Sequence, residues 1–585
     1  MISESLARAQ ALDHQAKRLS KRLERIQARV TRLQSARLLS GTAFAAALLV
    51  AALKPHWGVA LPAAVVFAPV FAWLVVLNRR WATFHLKLTR LHAFLLRQKA
   101  RCEGRAPMAP VNFEHEKAGA DLDYFGDYSL WTLLDETLTD EGSSILKSWI
   151  VSPVLSKDVI EARQETVRSL RREAWFYTRL TLIADRKEIR HSSIRILEFL
   201  SSQVTPRFFT VGYFASLILW TSWLAMVFTA TPHASILFFA FLMLQYQLIG
   251  RAGEVFMKGV GVSNHLSELF PIFSALEKRT SISPALRDLA PVTASHGPSR
   301  EAKPLNFAVG FLSTAANPIF HLLINAVLPW SSTGLLLLER ARKRLDTSFA
   351  KCLKELEQLE ALFSLVIFDR YQTQVYPSLS SSKLNFQDLY HPLVPRSKVV
   401  ANSFSFEGSQ RLGLLTGSNM SGKSTFLRTV GVNQTLANMG APVFATAFAT
   451  RPLAIESCIE VSDSLRDGFS YFYAEVRRLK ALLDAASERP SLFLIDEIFR
   501  GTNNRERQIG SRAVIQSLAS SLFSVGFVST HDLELTSLEG SSVVNLHFRE
   551  EISPLGEMSF TYRLQKGASP TTNALRIMQL EGLPV

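Results

Sequence analysis

One short segment restricts the possible fold more than any other feature of this sequence. Residues 417–424 read GSNMSGKS. They follow the apolar run Arg411–Thr416 and precede a segment of helical character. A strand, a glycine-rich loop and a helix in this order form the phosphate-binding loop of α/β nucleotide-binding domains. The sequence therefore predicts an α/β domain with a parallel sheet, in the C-terminal third of the chain.

This loop supplies most of the predicted contacts to a nucleotide. Its glycines let successive N–H groups point at phosphate oxygens, and the next helix adds its positive N-terminal end. Lys423 supplies a cation to the phosphates, and the Ser424 hydroxyl is a ligand for Mg²⁺. The predicted cofactors are ATP and Mg²⁺. The predicted binding residues are Gly417, Ser418, Asn419, Met420, Ser421, Gly422, Lys423, Ser424 and Thr425.

Two carboxylates end a second apolar run, which reads SLFLIDE over residues 491–497. In a doubly wound sheet, ligands collect at the carboxyl ends of parallel strands. We therefore expect Asp496 to share the Mg²⁺ with Ser424. Glu497 is expected to orient or deprotonate the attacking water.

A third apolar run, Ser524–Ser529, ends in Thr530 and His531. A histidine just beyond a strand end beside the site is a candidate sensor of the γ-phosphate. The alternative is a histidine that only caps its loop. With Lys423 and Glu497, His531 completes the set of predicted catalytic residues.

These motifs resemble those of the MutS family of DNA-mismatch-repair ATPases. Residues 416–425 read TGSNMSGKST, where the family has T-G-x-N-M-[GS]-G-K-S-T, and residues 496–502 read DEIFRGT, where it has D-E-x-x-R-G-T. Thr530-His531 matches the family's T-H, and His391-Pro392 is similar to its H-P. The resemblance implies an α/β P-loop ATPase of the ABC/MutS type that hydrolyses ATP with Mg²⁺.

The resemblance also implies roles that no local pattern shows. Residues 468–470, followed by Phe472 and Glu475, are similar to the family's signature segment, whose serine reaches the γ-phosphate held by a partner chain. That serine corresponds to Ser470, so the resemblance implies a homodimer. The family's adenine-stacking ring corresponds to Tyr562.

Upstream, residues 134–164 are similar to the start of the family's helical core domain. We expect core helices at 120–207 and core and lever helices at 251–382, followed by the ATPase domain at 383–585. The stretch from Ser283 to Pro304 is predicted to be a flexible connection. The resemblance does not extend to the family's mismatch-reading N-terminal domain.

The N-terminal region, 1–37, is predicted to be a basic, coiled-coil-like helix. Apolar residues recur at spacings of four and three, which is typical of a packing seam; they are Leu12, Ala16, Leu19, Leu23, Ile26, Val30 and Leu33. The helix either packs on its own protein or serves for dimerisation or for contact with anionic lipid or DNA. Residues 79–119 are expected to form a basic cytoplasmic linker or helix.

Two apolar hairpins are predicted to cross a membrane, at 38–78 and 208–250. Basic residues flank both, which favours a multi-pass protein of the inner membrane with its ATPase domain in the cytoplasm. A buried soluble hairpin is the alternative for the first. A third apolar region, Leu305–Leu338, is interrupted by prolines and is interpreted as buried core helix.

The formal charge of +15 favours an anionic partner, either nucleic acid or the acidic membrane face. The leading hypothesis is a membrane-tethered, dimeric, mismatch-repair-like ATPase that binds DNA. The alternative is an ATP-driven switch that acts on a protein or membrane partner without nucleic acid. A transporter is disfavoured, because the signature segment lacks the Leu-Ser-Gly-Gly pattern of transport ATPases.

Overall fold

The computed structural model describes residues 2–53, 57–105, 120–183, 196, 198, 206–229, 234–301, 303–313, 324, 328–345, 347–372, 375–381, 383–418, 420–459, 471–499, 503–552 and 558–570. The chain forms two compact units. Unit 1 comprises Met1–Leu134, Ser148–Glu165 and Phe368–Val585, and unit 2 comprises Asp135–Lys147 and Thr166–Ile367.

The helices of the described residues, labelled in chain order, are α1 (Ile2–Leu53), α2 (Trp57–Cys102), α3 (Leu130–Leu134), α4 (Asp140–Val151), α5 (Lys157–Leu170), α6 (Ala174–Ile183), α7 (Pro206–Phe228), α8 (Ala234–Thr280), α9 (Pro284–Leu289), α10 (Pro291–His296), α11 (Pro298–Glu301), α12 (Lys303–Ser313), α13 (Trp330–Arg344), α14 (Thr347–Tyr371), α15 (Lys423–Asn438), α16 (Tyr471–Glu488) and α17 (Asn504–Ser520). The strands are β1 (Asn385–Leu389), β2 (Asn402–Ser405), β3 (Leu412–Thr416), β4 (Ala447–Ala449), β5 (Ala454–Cys458), β6 (Ser491–Asp496), β7 (Val525–Ser529), β8 (Val543–His547), β9 (Glu550–Ile552), β10 (Met558–Phe560) and β11 (Gln565–Lys566).

Helices α1 and α2 of unit 1 form a long antiparallel pair. The predicted seam of α1 lies against α2, with Leu12, Ala16, Ile26 and Val30 buried. The Lys99 ammonium lies 2.6 Å from an Asp13 carboxylate oxygen near one end of the pair. The seam is therefore buried within the chain, while the basic positions between its apolar residues are exposed.

The predicted first hairpin is not a separate element. Residues 38–53 continue α1, and residues 58–77 belong to α2, which runs on through the predicted basic linker to Cys102. Within the part of the chain that could be searched, one helix is long and apolar enough to cross a membrane, Thr210–Phe228 of α7. Ala234–Gln247 of α8 is a shorter apolar helix. Two spanning hairpins, as the sequence predicted, are thus not supported by these helices.

Unit 2 is helical, and the predicted flexible connection from Ser283 to Pro304 is wrong. The described residues of this stretch form the short helices α9, α10 and α11, each with proline at its first position, and the start of α12. Carboxylates from elsewhere in the unit hold two of the helix starts. Glu355 accepts hydrogen bonds from the backbone N–H groups of Val292 and Thr293, and Glu277 accepts one from Ser299. Such caps satisfy the free N–H groups of a first turn.

The third apolar region, 305–338, is described at 305–313, 324 and 328–338. There, α12 and α13 pack on each other, and the Trp330 ring stacks on Phe311 at 3.7 Å between centroids. The Trp330 indole N–H donates to the Phe311 carbonyl oxygen at 3.1 Å. Leu305, Ala308 and Leu338 are buried, as expected of core helix.

Unit 1 contains a six-stranded sheet in the order β11-β8-β3-β7-β6-β5. Its central strands pair in parallel, and β11 is an antiparallel edge strand. Every residue of β3, β6, β7 and β8 is buried, as expected of parallel strands that are covered on both faces. The predicted strands before the loop, before the acids and before His531 are therefore confirmed.

A smaller antiparallel sheet, β2-β1-β4, packs on the large one through aromatic rings. Phe404 and Phe406 of this region each lie 5.4 Å from Phe527 of β7 between ring centroids. Phe527 also contacts Phe426 of α15 at 5.2 Å. This apolar contact fixes the first turn of α15 against the sheet, and with it the glycine-rich loop.

Candidate nucleotide-binding site

The glycine-rich loop joins β3 to α15 and depends on two glycines. Gly417 has φ of +134° and Gly422 has φ of +109°, a backbone region that disfavours side chains. A Cβ at Gly417 would lie 2.5 Å from the Phe548 carbonyl oxygen. At Gly422 it would lie 3.1 Å from the Tyr562 ring. The loop can therefore curl tightly only with glycine at both positions.

Lys423 is the first residue of α15 and is almost completely buried, with 4% of its surface exposed. Its ammonium donates hydrogen bonds to the carbonyl oxygens of Gly417 at 2.7 Å and Ser418 at 2.8 Å. The Ser418 hydroxyl is buried without a hydrogen-bond partner among the described residues. A cation, an unused hydroxyl and a helix N-terminus thus meet in one loop, as an anion site requires.

The Ser424 hydroxyl donates to Asp496 Oδ2 at 2.6 Å, although the two residues lie 72 positions apart. Asp496 ends β6, and its other oxygen accepts a hydrogen bond from Ser529, which lies opposite it at the end of β7. Carboxylate and hydroxyl oxygens are ligands that Mg²⁺ prefers, and this ion keeps waters and phosphate oxygens as its remaining ligands. The donor set therefore fits Mg²⁺ bound together with a nucleotide.

Glu497 lies next to Asp496, where the chain leaves β6 with a φ of +56°. Its backbone N–H donates to the Ser529 carbonyl oxygen at 3.2 Å. Its side-chain Oε1 lies 2.7 Å from Nε2 of His531, which follows β7. Neighbouring parallel strands thus bring all three predicted polar residues of this edge, Asp496, Glu497 and His531, to one place.

Glu475 of α16 holds the loop that carries Glu497. It is buried, and its Oε1 accepts a hydrogen bond from the Phe499 backbone N–H at 2.6 Å. Phe499 also has a positive φ, +60°, and its ring lies 6.1 Å from that of Phe472. The sequence indicated Glu475 only by resemblance. The contact shows that it connects the helix after the signature segment to the acidic loop.

Tyr562 lies beside Gly422 and lines a cavity of about 320 Å³ next to the loop. Asn402 holds this segment, because its side chain donates to the Tyr562 carbonyl oxygen and accepts from the Leu564 N–H. His391 lines the same cavity, and burial lowers its pKa to about 4. A neutral histidine, an aromatic ring and an amide are suited to a nucleotide base.

A short segment near the start of the predicted core, 120–124, is bound to the part of unit 1 that contains the six-stranded sheet. Asp121 is buried, and it accepts hydrogen bonds from the Ile459 N–H at 3.0 Å and from the Arg478 guanidinium. Asp123 lies 2.7 Å from an Arg428 nitrogen, and the Tyr124 hydroxyl bonds to Thr435. The sequence analysis missed these residues, because their partners lie more than three hundred positions away.

The structure therefore brings together the predicted Lys423, Ser424, Asp496, Glu497 and His531, with Tyr562 at the neighbouring cavity. The other predicted loop residues that it describes are Gly417, Ser418, Met420, Ser421, Gly422 and Thr425. Asn419 and Ser470 lie outside the described residues, as do residues 500–502 of the DEIFRGT motif. Ser529 is an addition; a polar residue at the end of a predicted strand was its only sequence signal.

Two family profiles match the chain. "MutS domain V" matches residues 413–585, and "MutS domain III" matches residues 112–198. Ahead of the domain III match, residues 2–53 and 57–102 form α1 and α2. The matches therefore include the loop, the acid pair and the segment that carries Asp121.

Similar proteins carry the same family name. The chain is 31% identical over 239 residues to "DNA mismatch repair protein MutS" of Exiguobacterium sp. This alignment covers 40% of this chain and 28% of that protein. It is 32% identical over 244 residues to the protein of that name from Bacillus cytotoxicus, covering 40% and 27%. For the one from Haloquadratum walsbyi the identity is 30% over 255 residues, covering 42% and 27%. The alignments thus span less than a third of these relatives.

Proposed function

The chain belongs to the MutS family through its domains III and V, and from this premise we propose that it hydrolyses Mg²⁺-ATP as a homodimer, acts on DNA and is tethered to a membrane. One observation carries the ATPase proposal above all others. The Ser424 hydroxyl and the Asp496 carboxylate, from distant motifs, meet at 2.6 Å beside the buried Lys423. Hydroxyl and carboxylate are the groups that hold the metal in P-loop ATPases.

Each residue has a distinct task in this proposal. The loop N–H groups and the α15 N-terminus bind phosphate oxygens, and Lys423 exchanges its two carbonyl partners for the β- and γ-phosphates. Glu497 accepts a proton from the attacking water at the carboxylate oxygen that His531 does not contact. His531, at 2.7 Å, holds the carboxylate in orientation. Bound Mg²⁺ would neutralise the phosphate charge that grows during the reaction.

The dimer is proposed from the resemblance and from the openness of the site. Ser470 of a partner chain would reach the γ-phosphate. Met420, at the tip of the loop, is 81% exposed, and Phe472 and Tyr473 at the start of α16 are also exposed. Exposed apolar residues around a binding site are typical of a surface that a partner covers.

The membrane tether is proposed from the exposed apolar surface of α7 and from the uncharged ends of α1 and α2. In α7, the apolar window Thr210–Phe228 has a mean hydropathy of 1.6, and only 11% of it is buried. A core helix of that composition would be mostly buried, so exposure favours contact with lipid. This proposal places the chain in the inner membrane, with its ATPase domain in the cytoplasm.

A DNA partner is proposed because the relatives are named for DNA mismatch repair and because the chain carries a charge of +15. A second candidate is an ATP-driven switch on a protein or membrane partner. It is favoured by the exposed apolar surface of α7, which duplex DNA cannot cover.

ATP turnover by the detergent-purified full chain, with and without duplex DNA, separates these candidates. We expect Mg²⁺-dependent turnover that DNA stimulates, and DNA binding whose log affinity falls linearly with log salt. Lys423→Ala should abolish turnover, while Lys480→Ala, a change of an exposed lysine on α16, should not. Turnover without any DNA effect, together with no DNA binding at low salt, would support the second candidate. The absence of turnover would contradict both.

A further inference from the structure

The α1–α2 hairpin changes from basic to uncharged residues on both helices, at heights that differ by about 8 Å. After Arg37, α1 carries no charged residue through Leu53, and α2 carries none from Trp57 to Asn78. These stretches extend about 24 Å and about 33 Å at 1.5 Å per residue. Both lengths are comparable to the apolar core of a bilayer.

Inter-helix contacts fix the register of this change. A Cβ at Gly41 would lie 2.9 Å from the Phe71 ring, so these two residues lie level with each other. The Arg29 guanidinium lies 4.5 Å from the centre of the Trp81 ring. In an antiparallel pair, Arg32 therefore lies near the level of Arg79 and Arg80, and Arg37 lies about 8 Å nearer the apolar end, near the level of Trp73. The basic residues of the two helices form one band, here called the basic collar: Arg29, Arg32, Arg37, Arg79 and Arg80.

Apolar side chains are exposed directly beyond the basic collar. Leu38 and Leu39 on α1 are 64% and 72% exposed, and Trp73 on α2 is 62% exposed. Arg32, Arg79 and Arg80 are exposed as well. Duplex DNA offers phosphates to arginine but nothing to exposed leucine and tryptophan. A bilayer offers headgroups to the arginines and hydrocarbon to the apolar side chains, and tryptophan is enriched at the boundary between the two layers.

We propose that the basic collar binds anionic phospholipid headgroups at the surface of the membrane into which the apolar end of the hairpin inserts. This inference rests on the membrane tether of the proposed function and adds the chemistry of the lipid. Arginine pairs with phosphate through several N–H donors, and each basic residue near an anionic surface strengthens binding by about fivefold. The collar would thus set the depth of the hairpin and favour acidic membranes.

Vesicle flotation of the detergent-purified full chain tests the inference. One vesicle set contains phosphatidylcholine alone, and the other contains phosphatidylcholine mixed with phosphatidylglycerol. The test variant combines Arg32→Gln, Arg79→Gln and Arg80→Gln. The control variant combines Arg18→Gln, Lys21→Gln and Arg25→Gln, which removes equal charge from exposed positions about 10 to 20 Å further along α1.

The wild-type chain should prefer the vesicles with phosphatidylglycerol at about 0.1 M salt. The collar variant should lose on the order of a hundredfold of that preference, the product of three fivefold losses. The control variant should keep most of it, because its charges lie beyond a Debye length of about 10 Å from the surface. Circular dichroism and ATP turnover should be unchanged in both variants, which shows that they fold.

Two results would overturn the inference. The first is equal binding to both vesicle types, or an equal loss in the two variants, which would leave the tether without a lipid-specific collar. The second is a collar variant that still prefers phosphatidylglycerol but loses affinity for a labelled DNA duplex, which would make the collar a DNA contact. If no vesicle binds at all, the tether itself is contradicted. The ATPase proposal is judged separately, by Lys423→Ala.

Discussion

Two buried carboxylates, one in each unit, both accept several hydrogen bonds but differ in the kind of group that donates them. Asp496 of unit 1 accepts hydrogen bonds from two side-chain hydroxyls, those of Ser424 and Ser529. Glu360 of unit 2 accepts from the backbone N–H groups of Leu138 and Thr139 and from the Thr139 hydroxyl. Hydroxyl groups can turn toward a metal, whereas backbone groups cannot leave without unfolding the segment. Replaceable partners are therefore what we expect of a metal-binding carboxylate, and backbone partners are what we expect of a structural one.

Glu360 also explains a motif in the segment that resembles the family's core. Thr139 and Gly142 stand at the start of α4, and a Cβ at Gly142 would lie 2.5 Å from Glu360 Oε2. The Gly142 N–H donates to the Thr139 hydroxyl at 3.1 Å. Gly142 thus leaves room for the Glu360 carboxylate of α14, and Thr139 donates a hydrogen bond to it, although Glu360 lies more than two hundred positions later in the chain.

The largest expected difference between the two carboxylates is the effect of Glu360 on how the stability of the fold depends on pH. Burial raises the pKa of Glu360 from 4.5 to about 7. Between these values the folded chain holds a proton that the unfolded chain has lost, so stability falls as pH rises through this window, by about 3 kcal/mol in total. Glu360→Gln should remove that fall without changing ATP turnover. The pH dependence of stability is measured from pH 4.5 to 8 by hydrogen exchange at the backbone N–H groups of Leu138 and Thr139, corrected for intrinsic exchange rates.

Glu161→Gln, at an exposed position of α5, is the matched control and should leave the pH dependence as in the wild type. If Glu360→Gln kept the wild-type slope, the carboxylate would titrate normally. If it instead abolished turnover at unchanged stability, the division between the two carboxylates would be wrong.

Glu475 tests the comparison further, because it is a buried carboxylate with a backbone partner that lies beside the candidate nucleotide site of unit 1. The partner rule predicts a positioning residue: it holds the Phe499 N–H, and through it the loop of Glu497. Glu475→Ala should lower kcat by roughly tenfold to a hundredfold and leave the KM for ATP unchanged. Glu475→Gln should restore kcat, since an amide oxygen accepts the same hydrogen bond.

Steady-state kinetics of the two variants measure this, with Glu488→Ala at the exposed end of α16 as the control. A rise in KM at constant kcat would place Glu475 in nucleotide binding. Failure of Gln to rescue would mean that the negative charge, rather than the hydrogen bond, is needed.

The sequence predicts the site better than its surroundings, for a physical reason. The loop, the acid pair and His531 each follow an apolar run, and parallel strands bring their carboxyl ends together, so local patterns suffice to predict their meeting. The register that places Ser529 opposite Asp496 follows from strand pairing, which the sequence leaves open.

Contacts over long sequence separations could not be predicted. Ser283–Pro304 appeared to be a linker by its Ser, Pro and Gly content, but Glu355 and Glu277 cap the helices that form there. In the same way, nothing in the sequence around Asp121 indicates its role, which depends on hydrogen bonds from Ile459 and Arg478. The apolar stretches 38–53, 58–77, 208–228 and 234–250 are helical as expected, but apolar length alone does not say whether a helix contacts lipid or protein.

ATP binding with and without Mg²⁺ tests the central claim most directly, namely that Asp496 and Ser424 form a metal-dependent nucleotide site. Titration calorimetry on the detergent-purified full chain should show ATP binding that is weakened at least tenfold by a chelator in the wild type. In Asp496→Asn, we expect weak binding of ATP that added Mg²⁺ does not improve. Binding that is equally tight with and without the metal, or Asp496→Asn behaving as the wild type, would contradict the account.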